Sequence, residues 1–240
     1  TLYFAHKFER RTQFKIKLKT HIMTKKTLKH YNLSEICKLT YSKKPSFYSN
    51  LDSINSEFFR YSVQNIEYYY SPTVKTLAIT GTNDPMDWFY NINMFKNLSK
   101  VSGYNKGSIV LIYEGFETQF DLLVADVAVK GLDVKTITGH SLGGVLASLF
   151  HYSLEKYEEI VTFGCPQFLR ESQNLKNVAL EVYNYHLGSD IVPYVPFNHS
   201  RLGKNIKLLD FSLNPFKSHN MGSYVRNLKK QDDLSFNPLS

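Results

Sequence analysis

Cysteine is scarce in this chain. Cys37 and Cys165 are the only two in 240 residues, far apart and in no zinc-type spacing, and neither an HExxH nor a CxxC occurs. These absences argue against a metal site, a metal cofactor or a disulfide framework, and they favour a reducing, intracellular compartment. Long apolar runs are missing as well. None approaches the roughly 20 residues that a membrane-spanning helix needs. The N-terminal stretch has no signal-peptide core either, because Lys15, Lys17 and Lys19 interrupt Phe14, Ile16 and Leu18. Internal repeats and low-complexity linkers are also lacking, so nothing marks a domain boundary after the N-terminal arm.

Acidic residues are outnumbered, and the formal charge of +8 has the sign of a nucleic-acid or membrane binder. Its location changes that reading. Residues 1–22 carry Lys7, Arg10, Arg11, Lys15, Lys17 and Lys19 against Glu9, a local +5 that leaves +3 for the remainder. No nucleic-acid partner is expected for so mildly basic a body. The first residue is threonine, and Met23 precedes a plausible start at Thr24-Lys25-Lys26. Residues 1–22 therefore read as a basic arm or upstream extension, and residues 23–240 as a single domain of a size that buries roughly 70–75% of its unfolded surface. The rival reading of the arm is an added edge strand, or a peripheral contact with an anionic lipid surface.

What the chain does have is Val134 to Thr138, a short β-branched alternation that runs into Gly139-His140-Ser141-Leu142-Gly143 and then turns helical. Downstream, Leu142, Val145, Leu146, Leu149 and Phe150 recur at helical spacing, with Ala147 and Ser148 small enough for close packing. A Gly-X-Ser-X-Gly between strand and helix is the pattern of a nucleophile elbow, in which glycines let one serine stand on a strained turn. The pentapeptide is common; the strand before it and the helix after it carry the inference. Phosphate binding fits poorly, since Val145 and Leu146 stand where a P-loop requires Lys and Ser/Thr.

Around the elbow the pattern predicts alternating strands and helices. Leu33, Ile36, Cys37 and Leu39, then Leu51, Ile54, Phe58 and Phe59, fit two packing helices. Ile66 to Tyr70 and Val74 to Thr80 fit a hairpin turned at Ser71-Pro72-Thr73. A strand at Ser108 to Tyr113 and a helix at Phe120 to Lys130 precede the elbow. Strands at Glu159 to Phe163, Asn177 to Tyr185 and Ile206 to Phe211 follow it, with a closing helix at His219 to Leu228. The fold class is α/β, a mixed and mostly parallel sheet with helices on both faces.

A serine hydroxyl needs a base, and the base needs an orienting carboxylate; on this fold they follow in the order Ser, Asp/Glu, His. Asp190 sits just past a strand's carboxyl end, where catalytic groups gather in such sheets. Its competitor Asp210 falls inside the expected strand at 206–211, where a surface-facing position explains it. His151 lies on the helix after the elbow, and His186 precedes the acid. The choice of base stays between His199 and His219, with His140 a packed neighbour of the nucleophile.

Four blocks now align in order: Gly-His-Ser-Leu-Gly-Gly at 139–144, Val161-Thr162-Phe163-Gly164-Cys165-Pro166, Ser189-Asp190-Ile191-Val192-Pro193-Tyr194-Val195-Pro196, and Ser218-His219-Asn220-Met221-Gly222-Ser223-Tyr224. From about Leu77 to Tyr224 the chain resembles the class 3, fungal-type lipases of the α/β-hydrolase superfamily. The resemblance implies His219 as base in a triad with Ser141 and Asp190. It also matches Ile79-Thr80-Gly81-Thr82 to the family's oxyanion loop, which implies that the amides of Thr82 and Leu142 hold the oxyanion. Two positions depart from the pattern: Thr80 replaces an arginine, and Glu114 stands where histidine is frequent.

After that loop, Asp84-Pro85 suits a helix entry. The residues beyond it are apolar on nearly every side, so Trp88, Phe89, Ile92 and Phe95 are expected in a lid over an acyl pocket. A buried core helix would have the same composition. The expected activity is hydrolysis of acylglycerols or other lipid esters through an acyl-enzyme on Ser141, with no cofactor. Phospholipase A1, short-ester esterase or thioesterase activity would use the same triad, and an inactive binding scaffold is the non-enzymatic alternative. Oligomeric state is not legible.

Overall fold

The computed structural model describes residues 29–51, 54–82, 98–102, 109–170, 181–197, 199–210, 212 and 214–236. The basic arm and the expected lid residues Trp88, Phe89, Ile92 and Phe95 lie outside them. Helix α1 covers residues 29–40. Strands β1 (Ser46–Leu51), β2 (Ile54–Val63), β3 (Ile66–Ser71) and β4 (Thr76–Ile79) follow, then β5 (Leu98–Ser102) and β6 (Ile109–Tyr113). Helix α2 (Glu114–Val129), strand β7 (Thr136–His140), helix α3 (Leu142–Ser153) and strand β8 (Glu159–Phe163) come next. The chain continues through β9 (Leu169–Arg170), β10 (Val182–Leu187), β11 (His199–Ser200), β12 (Lys204–Leu208), the short α4 (Pro215–Ser218) and α5 (Met221–Phe236).

Eight strands form the main sheet in the order β1-β2-β3-β4-β7-β8-β10-β12. The first four meander antiparallel, and from β4 onward every neighbouring pair is parallel. Parallel strands require crossovers, and the helices between them cover both faces. Period-two alternation sorts the strand residues between two cores. Tyr68, Tyr70, Leu77, Ile79, Ile137 and Ile160 pack on one side with Phe116, Phe120 and Leu123 of α2 and with Val145, Leu149 and Phe150 of α3. Their neighbours Tyr69, Ala78, Val161, Phe163 and Tyr185 face the other side, against Leu33, Ile36 and Cys37 of α1 and Tyr224, Val225 and Leu228 of α5. Each fully buried Leu, Ile or Phe contributes about 1.5–3 kcal/mol, so both helical layers are held chiefly by burial.

Three expectations are corrected. Leu51, Ile54, Phe58 and Phe59 belong to a β1–β2 hairpin rather than a second helix, with Ile54 opposite Leu51 and Phe58 opposite Phe47. Ser56 is the reason the alternation was hidden: it points inward with Ile54 and Phe58, and its Oγ lies 2.5 Å from Ser71 Oγ. Helix α2 begins at Glu114, six residues ahead of the expected start, with Glu114 and Glu117 favourably placed in its first turn. The last strand ends at Leu208, so Asp210 stands in the loop beyond it and not in the strand. Strand β10 is seen from Val182; residues 177–180 of the expected strand are not described. Among the described residues no helix is long and apolar enough to cross a membrane.

Candidate active site

Strand β7 ends at His140 and helix α3 starts at Leu142, leaving Ser141 alone on the turn with φ 55° and ψ −128°. A non-glycine residue rarely takes that conformation, and the surroundings hold it there. Ser141 N donates to Phe163 O at 3.0 Å and Gly144 N to Ser141 O at 2.9 Å. The elbow closes only because its glycines lack side chains. A Cβ on Gly139 would come within 2.5 Å of the Gly143 carbonyl carbon, and one on Gly81 would lie 3.1 Å from Ser141 Cβ.

Two loops deliver the remaining groups. Asp190 follows β10, and His219 lies between α4 and α5. His219 Nε2 is 2.9 Å from Ser141 Oγ, and His219 Nδ1 is 2.8 Å from Asp190 Oδ2. All three residues are buried. A carboxylate only accepts, so Nδ1 carries the imidazole proton and Nε2 is left to accept from the serine hydroxyl. Tyr224 of α5 donates to the same Oδ2 at 2.5 Å, and Val192 N donates to Oδ1 at 3.0 Å. The carboxylate is thereby oriented on both oxygens. Val192 opens a 3₁₀ turn, Val192–Tyr194, whose proline fixes the chain just past the acid.

His140 belongs to a second network behind the nucleophile. Burial, and then the electrostatic influence of the neighbouring His219, push its imidazole well below its ordinary range, so it is neutral. Its Nε2 lies 2.8 Å from the main-chain oxygen of His219, an obligate acceptor, so Nε2 carries the proton. Nδ1 therefore accepts, from Tyr41 OH at 2.6 Å. The Tyr41 oxygen in turn accepts from the backbone of Gly81, while burial raises its pKa and keeps the phenol protonated. This chain joins the turn after α1, the loop after β4, the nucleophile strand and the backbone of the histidine beside the serine.

The other sequence candidates lie elsewhere. His199 Nε2 meets Tyr113 OH at 2.8 Å, and His151 Nδ1 meets Tyr157 OH at 2.5 Å. His186 stacks edge-on to Tyr194, 5.7 Å between centroids. Burial pushes the thiols of Cys37 and Cys165 up to about 12, which leaves neither as a thiolate at neutral pH. Leu142 is the first residue of α3, and first-turn amides have no intrahelical partner. Thr82 directly follows Gly81, which packs on Ser141; the hydroxyls of Thr80 and Thr82 are buried with no hydrogen-bond partner among the described residues. Glu114 is exposed in the first turn of α2. The sequence gives no sign of the part played by Tyr41. In the sequence Tyr224 stands only as the end of the 218–224 block, and Asp210 only as the competing acid.

A strained serine between a central parallel strand and its helix, with an aspartate just past a later strand and a histidine from a loop further on converging on it, defines an α/β-hydrolase. The family model for lipase (class 3) matches residues 76–200, just over half of the 240. The chain belongs to the class 3 lipase family, and it is a serine ester hydrolase. Among solved structures it is similar to the Lip2 lipase from Yarrowia lipolytica, with a TM-score of 0.52 at 18% identity over 74% of this chain and 77% of that one. It is also similar to the Rhizomucor miehei lipase in its propeptide complex, with a TM-score of 0.52 at 16% identity over 84% of this chain and 78% of that one. At such identity these likenesses concern the fold. No curated protein matches the chain.

Proposed function

We propose that this protein hydrolyses the carboxylic esters of acylglycerols or related lipids in two steps, through an acyl-enzyme on Ser141. The observation that carries the reading is the unbroken chain from Ser141 Oγ to His219 Nε2 at 2.9 Å and from His219 Nδ1 to Asp190 Oδ2 at 2.8 Å. Nε2 takes the serine proton as Oγ attacks the ester carbonyl, and Asp190 stabilises the imidazolium that forms. The amides of Thr82 and Leu142 receive the developing oxyanion; one such donor is worth about 2.7–4 kcal/mol of transition-state stabilisation. His219 then returns the proton to the leaving alcohol. Water repeats the sequence on the acyl-enzyme and releases the fatty acid.

Turnover of an emulsified triacylglycerol, followed as released fatty acid, tests this reading. The wild-type chain releases acid and Ser141→Ala does not. Equal release from both would refute it.

A further inference from the structure

Ser189 immediately precedes Asp190, and Ser218 immediately precedes His219. These two serines meet. Ser189 Oγ and Ser218 Oγ are 2.6 Å apart, Ser218 Oγ lies 2.9 Å from Asp210 Oδ2, and Ser189 Oγ donates to that same carboxylate oxygen. Two hydroxyl protons serve three close oxygen pairs, and the carboxylate only accepts. Either proton order therefore ends on Asp210. Its other oxygen, Oδ1, accepts from Ser212 N at 3.1 Å. The carboxylate stands two residues past the end of β12, beside the end of β10, since Leu208 and Leu187 are register partners.

We propose that Asp210 is a positioning residue: through Ser189 and Ser218 it ties together the two loops that bring Asp190 and His219 into line. This rests on the reading of Asp190 and His219 as partners of Ser141. Among the described residues no hydrogen bond joins Asp210 to any of the three, and it is half-buried, so its removal opens no large cavity. Its removal takes away the acceptor that the two loops share, one residue away from each reacting partner. Ser218 keeps one other acceptor, Asn214 O at 3.1 Å, and the serine pair keeps its 2.6 Å contact, but neither replaces the carboxylate that fixes both hydroxyls.

The test measures kcat and KM for a soluble p-nitrophenyl ester, the rate of fluorophosphonate labelling and the melting temperature, all on the full chain. Asp210→Ala lowers kcat about 10- to 100-fold with KM within about twofold, because misplacement of reacting groups by about 1 Å has that scale of effect. Labelling slows in proportion. Asp210→Asn recovers part of the loss: its carbonyl oxygen can face the serines only by turning its NH2 toward Ser212 N–H, so one side stays unpaired. Ser189→Ala combined with Ser218→Ala also lowers kcat, and adding Asp210→Ala to that pair costs nothing further, since Asp210 acts through those two hydroxyls. If Asp210→Ala does not fold alone, Asp210→Asn and the double serine variant carry the test.

A folded Asp210→Ala with wild-type kcat, or a loss seen only in KM, overturns the proposal while wild-type labelling leaves the Ser141 site standing. A further loss from Asp210→Ala in the double serine variant also overturns it. A wild-type chain that is neither labelled nor active overturns the site itself, and this proposal with it.

Discussion

Removing one oxygen atom from Tyr41 should disturb both stability and catalysis. Tyr41→Phe keeps the ring and deletes the hydroxyl that donates to His140 Nδ1 at 2.6 Å and accepts from the Gly81 backbone. His140 is buried, and its other nitrogen stays committed to the His219 carbonyl, so Nδ1 cannot be satisfied by a change of tautomer. A buried acceptor left without its donor costs about 1–3 kcal/mol. The Gly81 amide lies at a half-buried position and adds a smaller cost. The sum is about 1–4 kcal/mol, which at this chain length lowers the melting temperature by about 2–16 °C. Catalysis suffers by the same route. Gly81 leads directly into Thr82, and the carbonyl held by His140 belongs to His219, so loosening the chain moves both the oxyanion loop and the base. Urea unfolding followed by circular dichroism reads the first effect, and kcat for a soluble ester reads the second. Wild-type stability and wild-type kcat in Tyr41→Phe would refute the reasoning.

Two further outcomes follow from the geometry. Burial, and then the Arg201 charge, lower His186 from 6.5 to about 4, and His140 is shifted in the same direction. The unfolded chain therefore binds protons that the folded one refuses, so their contribution is complete above about pH 6.5 and is lost as pH falls, by up to about 1.4 kcal/mol per unit for each histidine. His186→Gln removes one of the two, and its stability should fall less steeply between pH 6.5 and 5 in parallel urea titrations; slopes equal to wild type would contradict this. Asp190→Asn presents an NH2 group to His219 Nδ1 and forces the proton onto Nε2, which then cannot accept from Ser141. Turnover should drop about 10⁴-fold while the fold persists, and a drop of less than about tenfold would show that Asp190 does not set the tautomer.

The elbow was legible because it is local: a β-branched alternation, glycines at the points of closest approach and a helical repeat all lie between Val134 and Phe150. Asp190 was legible for a related reason, as a carboxylate just beyond a strand end. Separating His219 from His199 required the family's pattern, because both lie after the acid and nothing nearby distinguishes them. What escaped the sequence is long-range. Tyr41 reaches His140 across 99 positions, and Ser189 reaches Asp210 across 21. The β1–β2 hairpin was misread because its inward Ser56 is polar and its outward Phe59 is 40% exposed, which inverts the alternation a sheet normally shows. Asp210 was misjudged because an error of a few residues at the end of β12 turned a loop carboxylate into a strand one.

Labelling the wild-type chain with a fluorophosphonate and mapping the modified peptide by mass spectrometry tests the central claim most directly. The adduct should fall on Ser141 alone, at one per chain, and disappear in Ser141→Ala. An adduct on any other serine, or labelling that survives Ser141→Ala, would contradict the account.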